Sequence, residues 1–487
     1  MIKIKKRKQS IVANRCKKFK PGFYFGEKPG LVNEIRRLFG KDCSVVKPID
    51  EDGQIAIFGG SGSGKTSGPV IQTLCRTWRA PFFAIDIKGD LKANYDKIAS
   101  NRNSKVFSLR GETAYTYDPF EFLRKDGEEN LVANVQELAN AIIPLPLNVK
   151  DPIWIDSARN FLTSSILHFF NLNVDFICAV INIMTTPPSE LINGIKKSGT
   201  PESKIFINSF LSDETISDSK FLMGISQEIT NKLSIFATDP RICKYLVPSK
   251  NQIRWSDLET HNIFLSIPED RLEQYGPVLT MMTTQLVRTL ERRPEKYSSE
   301  GADRVQILLM LDEFPRLGKI EVMTSAISTL RSKNVTICLV CQSLAQLDAI
   351  YGRDTRKILL DNCSYKAVLR VGDYESQKYF SDMAGIIPFT QRSKSVSYDA
   401  NRKISGYNKH TSTSYRSAIQ PNEFAMLNDI TLFTPNGWSR VKKTSHYKTD
   451  FTTKVRTVAT KVIKSVKSFF SSCFTAIKRC FGRFFHK

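Results

Sequence analysis

Long hydrophobic runs are missing from this 487-residue sequence. A helix that crosses a bilayer needs about 20 predominantly apolar residues, and the apolar stretch from Phe176 to Ile181 is much shorter and is followed by Asn182. The basic N-terminus is not followed by the apolar segment of a secretory signal. The pattern therefore predicts a protein without transmembrane helices and without a secretory signal.

A disulfide framework is also missing. The ten cysteines have no regular spacing, which favours a reducing compartment. Cys338 and Cys341 form a C-x-x-C pair, but they lie in an apolar, strand-like run and no second pair completes a zinc site. Because residues three apart on a strand point to opposite faces, we interpret both as buried thiols rather than zinc ligands.

Acidic residues are few relative to basic ones. The chain has 48 Asp and Glu against 71 Lys and Arg, a formal net charge of +23. This excess favours a polyanionic partner, either nucleic acid or an anionic membrane surface. Alternatively the excess belongs to terminal segments, and part of it does, because the first twenty residues hold nine Lys or Arg and no acid.

The most informative stretch that is present runs from Gly59 to Thr66 and fits the phosphate-binding pattern G-x-x-x-x-G-K-T. Its glycines allow a tight bend whose N–H groups point at phosphate oxygens, and the helix that follows adds its positive end. Lys65 is predicted to bridge the β- and γ-phosphates and Thr66 to bind Mg²⁺, so ATP and Mg²⁺ are the predicted cofactors. The predicted nucleotide-binding residues are Gly59, Gly60, Ser61, Gly62, Ser63, Gly64, Lys65, Thr66 and Ser67.

A second diagnostic stretch is the apolar run from Val305 to Leu311, which ends in Asp312-Glu313. A buried strand carries such acids to the carboxyl edge of a parallel sheet, where ligands bind. Asp312 is predicted to hold Mg²⁺ and Glu313 to orient the attacking water as a catalytic residue beside Lys65. An apolar run followed by two acids is a weak pattern alone and gains weight from the phosphate loop.

The order of patterns predicts the fold class. Strand-like and helical segments alternate around the phosphate loop, which indicates an α/β protein with a mainly parallel central sheet. Between residues 121 and 255 apolar residues recur at helical spacing, which indicates an inserted all-α domain. The predicted divisions are 1–48 (basic arm and lead-in), 49–120 and 256–450 (nucleotide-binding domain), 121–255 (all-α domain) and 451–487 (basic amphipathic C-terminal helix).

Two further polar residues stand at predicted element ends. Arg331 follows a helical pattern, where a cation also suits the helix dipole without any further role. Gln342 follows the strand that ends at Cys341, which places it beside Asp312 if the two strands are neighbours, although a polar residue is ordinary at a helix entry. Their spacing alone leaves both roles open.

Two basic segments have two interpretations each. Residues 391–416 interleave tyrosines with lysines and arginines, which suits single-stranded DNA but is equally typical of a solvated hairpin. Residues 451–487 repeat apolar residues every three or four positions among lysines and arginines, which suits either an anionic membrane surface or docking on another subunit.

Several motifs together resemble the coupling ATPases of type IV secretion and conjugation, the TraG/TraD-like family. They are IFGGSGSGKTSGPVI, FFAIDIKGDL, DPIWIDSARNFLTSSILH, LLMLDEFPRLGKIE, LRSKNVTICLVCQSLAQLDAIYG and YRSAIQPNEFAMLND. The resemblance implies a RecA-like motor domain, an inserted all-α domain that recognises cargo, and a homo-hexameric ring with nucleotide between protomers. It also implies that Arg331 is an arginine finger reaching the neighbour's nucleotide and that Gln342 senses the γ-phosphate, both as catalytic residues.

The function implied is ATP-driven delivery of DNA, a relaxase–DNA complex or an effector protein to a type IV secretion channel. The implied partners are single- or double-stranded DNA, a relaxase or effector, and channel components. Family members usually carry N-terminal transmembrane helices, so we expect a soluble branch, an anchor on a partner, or anchoring by the tail at the cytoplasmic face of the inner membrane. The alternatives are a cytoplasmic FtsK/HerA-like DNA translocase and a receptor that binds nucleotide without hydrolysing it.

Overall fold

The computed structural model describes residues 20–38, 41–99, 102–146, 149, 152–208, 220–398 and 404–447. Residues 1–19 of the basic arm and the predicted tail helix at 451–487 lie outside these residues. The strands are β1 (Gly22–Glu27), β2 (Ser44–Pro48), β3 (Ile55–Phe58), β4 (Phe82–Asp86), β5 (Ser104–Ser108), β6 (Asn262–Ser266), β7 (Ile307–Leu311), β8 (Val335–Cys341), β9 (Tyr365–Val368), β10 (Ile386–Tyr398), β11 (Ile404–Ser417), β12 (Ile430–Thr434) and β13 (Gly437–Val441).

The α- and π-helices of five or more residues alternate with these strands, and the helix after the phosphate loop is built from two π-type segments. They are α1 (Leu31–Leu38), α2 (Thr66–Val70 and Thr73–Thr77), α3 (Asp90–Ala99), α4 (Pro119–Lys125), α5 (Leu131–Ile142), α6 (Ile153–Asn171), α7 (Phe176–Thr185), α8 (Pro188–Ser198), α9 (Pro201–Asn208), α10 (Lys220–Thr238), α11 (Pro240–Tyr245), α12 (Gly276–Glu291), α13 (Met323–Thr329), α14 (Leu344–Tyr351), α15 (Arg353–Asp361), α16 (Tyr374–Ala384) and α17 (Pro421–Ala425). Within the described ranges, no helix is both long and apolar enough to cross a bilayer.

The central sheet is mainly parallel, as the sequence predicts. Its strands lie in the order β13-β12-β9-β3-β8-β7-β4-β6-β5 within the described ranges. The seven strands from β9 to β5 pair in parallel, whereas β12 and β13 extend the edge in antiparallel pairing. Strands such as β3, β7 and β8 are buried throughout and almost entirely apolar, because helices cover both faces of the sheet. The predicted α/β class is therefore confirmed.

Each face of the sheet has its own hydrophobic core. One core joins α2 and α3 to the sheet and includes Phe23 and Phe25 from β1. The lead-in that we separated from the nucleotide-binding domain is thus packed into it, a contact that no local pattern reveals. Cys338 belongs to this core and Cys341 to the core on the other face, which confirms that the two are buried thiols on opposite sides of β8.

A helical insertion, α4 to α11, occupies the crossover between the neighbouring strands β5 and β6. Its two ends are hydrogen-bonded together, because Thr116 N donates to Asn251 O at 3.1 Å and Ile253 N donates to Thr116 O at 2.8 Å. Helix α5 packs against both α6 and α12, so the insertion shares one continuous core with the sheet. The boundaries of an all-α domain at 121 and 255 stay a prediction.

The segment left open between a nucleic-acid contact and a solvated hairpin is a long antiparallel ribbon. β10 and β11 pair with each other over their length and form a two-stranded sheet separate from the central one. The ribbon starts after Gly385, whose φ of +80° suits glycine, and Ala418 N donates to Gly385 O at 2.8 Å where the chain returns.

The two strand thiols give a direct test of the fold. Burial raises the pKa of both Cys338 and Cys341 well above the ordinary value, so neither forms the reactive thiolate near neutral pH. We expect iodoacetamide at pH 8 to leave both unlabelled in the native protein while the exposed Cys178 is alkylated. Peptide mass spectrometry measures this, and equal labelling of the three cysteines in native protein would contradict the packing of β8.

Candidate nucleotide-binding site

The phosphate loop connects β3 to α2 at the carboxyl edge of the sheet. Gly62 and Gly64 have φ values of +68° and +94°, in the left-handed region where a side chain is strained. A Cβ on Gly59 would lie 2.6 Å from Ser63 Oγ and 2.9 Å from the Leu369 side chain. Glycine is therefore required at these three positions for reasons of backbone angle or space.

Lys65 lies at the start of α2 with its side chain folded over the loop. Its Nζ donates to the carbonyl oxygens of Gly59 and, at 3.3 Å, of Gly60. The residue is 6% exposed, and burial lowers the pKa of its ammonium group despite the nearby carboxylates of Glu313 and Asp312. The ammonium group of Lys65 is therefore buried and hydrogen-bonded to backbone carbonyls of the loop.

Thr66 and Asp312 join the loop to the tip of β7. Thr66 Oγ1 donates to Asp312 Oδ2 at 3.0 Å. β8 lies between β3 and β7 in the sheet, so this bond spans the carboxyl end of one intervening strand. Burial, and then repulsion from Glu313, raises the pKa of Asp312 to about 6.

Glu313 is held in an unusual conformation between two partners. Its φ of +56° is uncommon for a residue other than glycine. Lys88 Nζ donates to Oε1 at 2.9 Å and Gln342 Nε2 donates to Oε2 at 2.9 Å. Burial alone would raise the pKa of Glu313, but these two hydrogen bonds and the charges of Lys88 and Lys65 outweigh it and lower the pKa.

Lys88 is a site residue that the sequence analysis missed. It follows β4, which pairs in parallel with β7, so both strands deliver residues to the same sheet edge. Asp86 fixes the turn that presents Lys88, because its carboxylate accepts from Gly89 N at 2.8 Å and Lys92 N at 3.0 Å. The rule that we applied to Asp312 and Gln342 also identifies Lys88 when it is applied to β4.

A C-terminal strap, residues 442–447, lies against the outside of the loop and was also missed. Lys443 Nζ donates to Ser63 O at 3.0 Å, and His446 N donates to Ser67 O at 2.9 Å. The Tyr24 hydroxyl and Thr444 Oγ1 lie 2.6 Å apart, which ties the strap to β1. These contacts join residues 379 to 420 positions apart, so only the folded chain reveals them.

Arg331 lies outside this pocket. It lies in the 3₁₀ turn Leu330–Lys333 that precedes β8, whereas Gln342 follows β8. A strand of seven residues spans about 23 Å, so Arg331 sits at the opposite edge of the sheet. Its side chain is exposed and forms no ion pair with any residue that the structure describes.

The residues present fit a magnesium nucleotide. The hydroxyl of Ser63 is buried in the loop without a hydrogen-bond partner among the described residues, as expected of a cradle for polar ligand atoms. Within the same residues there is no group of three or more His, Cys, Asp or Glu that forms a complete metal cage. Thr66 and Asp312 would supply two ligands, which suits Mg²⁺ because it keeps water and phosphate oxygens in its shell.

Comparison with known proteins supports a shared architecture. The model of the family described as "Type IV secretory system Conjugative DNA transfer" matches residues 2–468. A VirD4 protein from Rhizobium rhizogenes is 23% identical over 408 residues, covering 80% of this chain and 58% of the relative. A TraG conjugal transfer protein from Escherichia coli is 26% identical over 349 residues, covering 66% of this chain and 53% of the relative. The chain therefore spans less than two thirds of these relatives.

Solved structures agree on the fold. The plasmid coupling protein TrwB in complex with ADP and Mg²⁺ matches with a TM-score of 0.64 and 15% identity, covering 89% of this chain and 97% of that one. TrwB in complex with a non-hydrolysable ATP analogue matches with a TM-score of 0.62 and 17% identity, covering 86% of this chain and 93% of that one. At such identities the likeness shows the fold alone, and it supports the expected RecA-like arrangement.

The buried acid pair gives a prediction about stability. Because the pKa of Asp312 is raised from 3.8 to about 6, the folded protein binds more protons than the unfolded protein between about pH 4 and pH 6. The free energy of unfolding therefore falls as pH rises through that window. Asp312→Asn keeps an acceptor for Thr66 and removes the buried charge. We expect its free energy of unfolding at pH 8 to exceed that of the wild type, by at most about 3 kcal/mol, with the difference vanishing near pH 4.

Glu313→Gln is the matched control, with the opposite sign. The pKa of Glu313 is lowered, so its ionised form stabilises the fold at neutral pH and this contribution is lost as pH falls. Glu313→Gln should therefore be less stable than the wild type at pH 8. Urea unfolding followed by circular dichroism measures both variants, and destabilisation by Asp312→Asn at pH 8 would contradict the account.

Proposed function

The chain belongs to the family of proteins for conjugative DNA transfer by type IV secretory systems, and on that premise we propose that it is an ATPase that delivers DNA substrate to a type IV secretion channel. The observation that carries the proposal is the convergence of Lys65, Thr66, Asp312 and Glu313 at one sheet edge. Phosphoryl transfer needs this combination of phosphate cradle, metal ligands and water-orienting carboxylate.

The proposal assigns each residue a step. The loop N–H groups and Lys65 hold the phosphates, and Thr66 and Asp312 would hold Mg²⁺. The metal ion, when bound, neutralises charge that develops on the phosphate oxygens. Glu313 orients the attacking water, a role supported by its lowered pKa, which keeps it ionised at neutral pH. Gln342 senses the γ-phosphate and bonds directly to Glu313, so both can respond to the same ligand atoms.

Arg331 completes the site in trans in this proposal. Its place at the far sheet edge, exposed and unpaired among the described residues, supports a role on a neighbouring subunit's nucleotide rather than on its own. Assembly as a homo-hexameric ring would bring one subunit's Arg331 to the next subunit's phosphate loop. An arginine so supplied stabilises charge in the transition state.

Cargo and location belong to the same proposal. The helices between β5 and β6 recognise a relaxase or effector protein, and channel components receive the cargo. The basic pattern at 451–487 supports a peripheral position at the cytoplasmic face of the inner membrane. TrwB, which has the same fold, is solved with ADP and Mg²⁺ and with an ATP analogue, which supports ATP and Mg²⁺ as cofactors here.

Subunit mixing tests the trans assignment. Lys65→Ala should abolish ATP hydrolysis, and Arg331→Ala should reduce kcat on the order of 10³-fold. A mixture of the two variants should recover part of the activity, because a Lys65→Ala subunit supplies Arg331 to an intact phosphate loop. Steady-state hydrolysis against mixing ratio measures this, and a mixture no more active than its components would remove the arginine finger from the proposal.

The pH dependence of hydrolysis tests the role of Lys88. Burial raises the pKa of Glu313 and the hydrogen bond and charge of Lys88 lower it, so the pKa rises when Lys88 is removed. We expect Lys88→Gln to shift the acid limb of the kcat profile to higher pH. Lys92→Gln is the matched control, because Lys92 lies four residues later, in α3, and pairs with Asp96. An equal shift in both variants would show that general charge, rather than the contact with Glu313, is responsible.

A further inference from the structure

The register of the ribbon places both of its lysines, one of its two arginines and two of its tyrosines on one side. Cross-strand partners and alternate residues share a face. Arg392 lies opposite Thr411, Lys394 opposite Lys409, and Val396 opposite Tyr407, and Tyr415 follows on the same face opposite Pro388. We call this the basic ribbon face, and it is defined by Arg392, Lys394, Tyr407, Lys409 and Tyr415.

The charges on this face are uncompensated. Lys394 and Lys409 are direct cross-strand partners, an arrangement that destabilises a sheet because like charges oppose each other. Neither strand contains an acidic residue. No ion pair joins Arg392, Lys394 or Lys409 to any residue in the described ranges. A polyanion along the face would remove this repulsion, so the charge pattern favours such a ligand.

The two tyrosines flank the cations and are available for stacking. Tyr407 is 67% exposed and Tyr415 is 69% exposed, and within the described residues neither ring stacks on another. They are eight residues apart along β11, which corresponds to about 27 Å. The face thus presents cations between two aromatic platforms, the combination that holds single strands by their phosphates and bases.

The opposite face of the ribbon differs in the pairing of its arginine and in its exposure to solvent. Its arginine, Arg416, lies 5.7 Å from the centre of the Phe389 ring and so already has a cation–π partner. Ser412, Ser414 and Phe389 on that side are partly buried. The base of the ribbon lies at the start of β13, where Trp438 Nε1 donates to Ala384 O at 3.0 Å. The strap that contacts the phosphate loop follows the other end of β13. The ribbon therefore lies far from the phosphate loop.

We propose that the basic ribbon face is a binding site for single-stranded DNA, with its phosphates on Arg392, Lys394 and Lys409 and its bases on Tyr407 and Tyr415. The inference deepens the proposed function, on which it rests for DNA as the cargo. A duplex keeps its bases stacked and offers no base faces to the tyrosines. An anionic membrane is disfavoured because the exposed aliphatic side chains Ile386 and Val396 lie ten residues apart on β10, with the cations between them, and form no continuous apolar patch that could enter a bilayer.

Salt dependence of DNA binding separates the two contributions. The test uses the full chain without nucleotide, a fluorescent oligo-dT and anisotropy titrations over a range of KCl concentrations. The triple variant Arg392→Gln, Lys394→Gln, Lys409→Gln should lower the slope of log K against log salt by about 2, since each phosphate contact on a single strand contributes about 0.7. Tyr407→Ala and Tyr415→Ala should each weaken binding about five-fold or more without changing the slope, and Tyr→Phe should restore it.

The matched control removes the same charge elsewhere, with Arg416→Gln, Lys357→Gln and Lys378→Gln, all exposed residues off this face. An equal slope change in the control would overturn the proposal, as would unchanged oligo-dT binding in the face variants. Tighter binding of a duplex through the same residues, or loss only of binding to phosphatidylserine vesicles, would overturn the single-strand assignment. DNA-independent ATP hydrolysis should be unchanged in the face variants, so failure here and failure of the proposed ATPase are distinguishable.

Discussion

The hydrogen bond between Thr66 and Asp312 is the contact on which the site depends. It connects two motifs that are 246 residues apart, across the carboxyl end of the intervening strand β8. β8 lies between β3 and β7 in the sheet. Gln342 follows β8, so it lies between the phosphate loop and the acid pair. The order of three parallel strands thus determines which side chains meet, and the helices on either side hold that order.

The two acids differ although they are adjacent in sequence. Asp312 is buried against a threonine hydroxyl, and its pKa is raised to about 6. Glu313, in a left-handed backbone conformation, turns toward a lysine and a glutamine, and its pKa is lowered. The ionised form of Asp312 is therefore disfavoured in the absence of a bound cation, whereas the ionised form of Glu313 is stabilised by Lys88 and Gln342. The buried charge of Asp312 destabilises the folded state, and a bound metal ion would offset this destabilisation.

Local patterns predict the centre of this protein well and its periphery poorly. The phosphate loop, β7 with its acids and β8 with Gln342 are visible in the sequence because each is a short, contiguous element. Lys88 also follows a short, contiguous strand, and the parallel pairing of β4 with β7 places it at the same sheet edge. The contributions of Phe23, Lys443 and His446 depend on contacts between distant segments, which periodicity does not encode. The basic ribbon face needed the register of β10 against β11, since a shift by one residue would divide its charges between two sides.

The closed base of the helical insertion has a consequence for how the chain can vary. Thr116 and Ile253 are joined by a backbone hydrogen bond, and β5 and β6 pair directly, so the helices form one long loop closed at its base. The entropy of closing such a loop grows only with the logarithm of its length, and doubling it costs about 0.6 kcal/mol. Related chains can therefore lengthen, shorten or exchange these helices at little cost to the sheet, provided that the apolar side of α5 still covers α12.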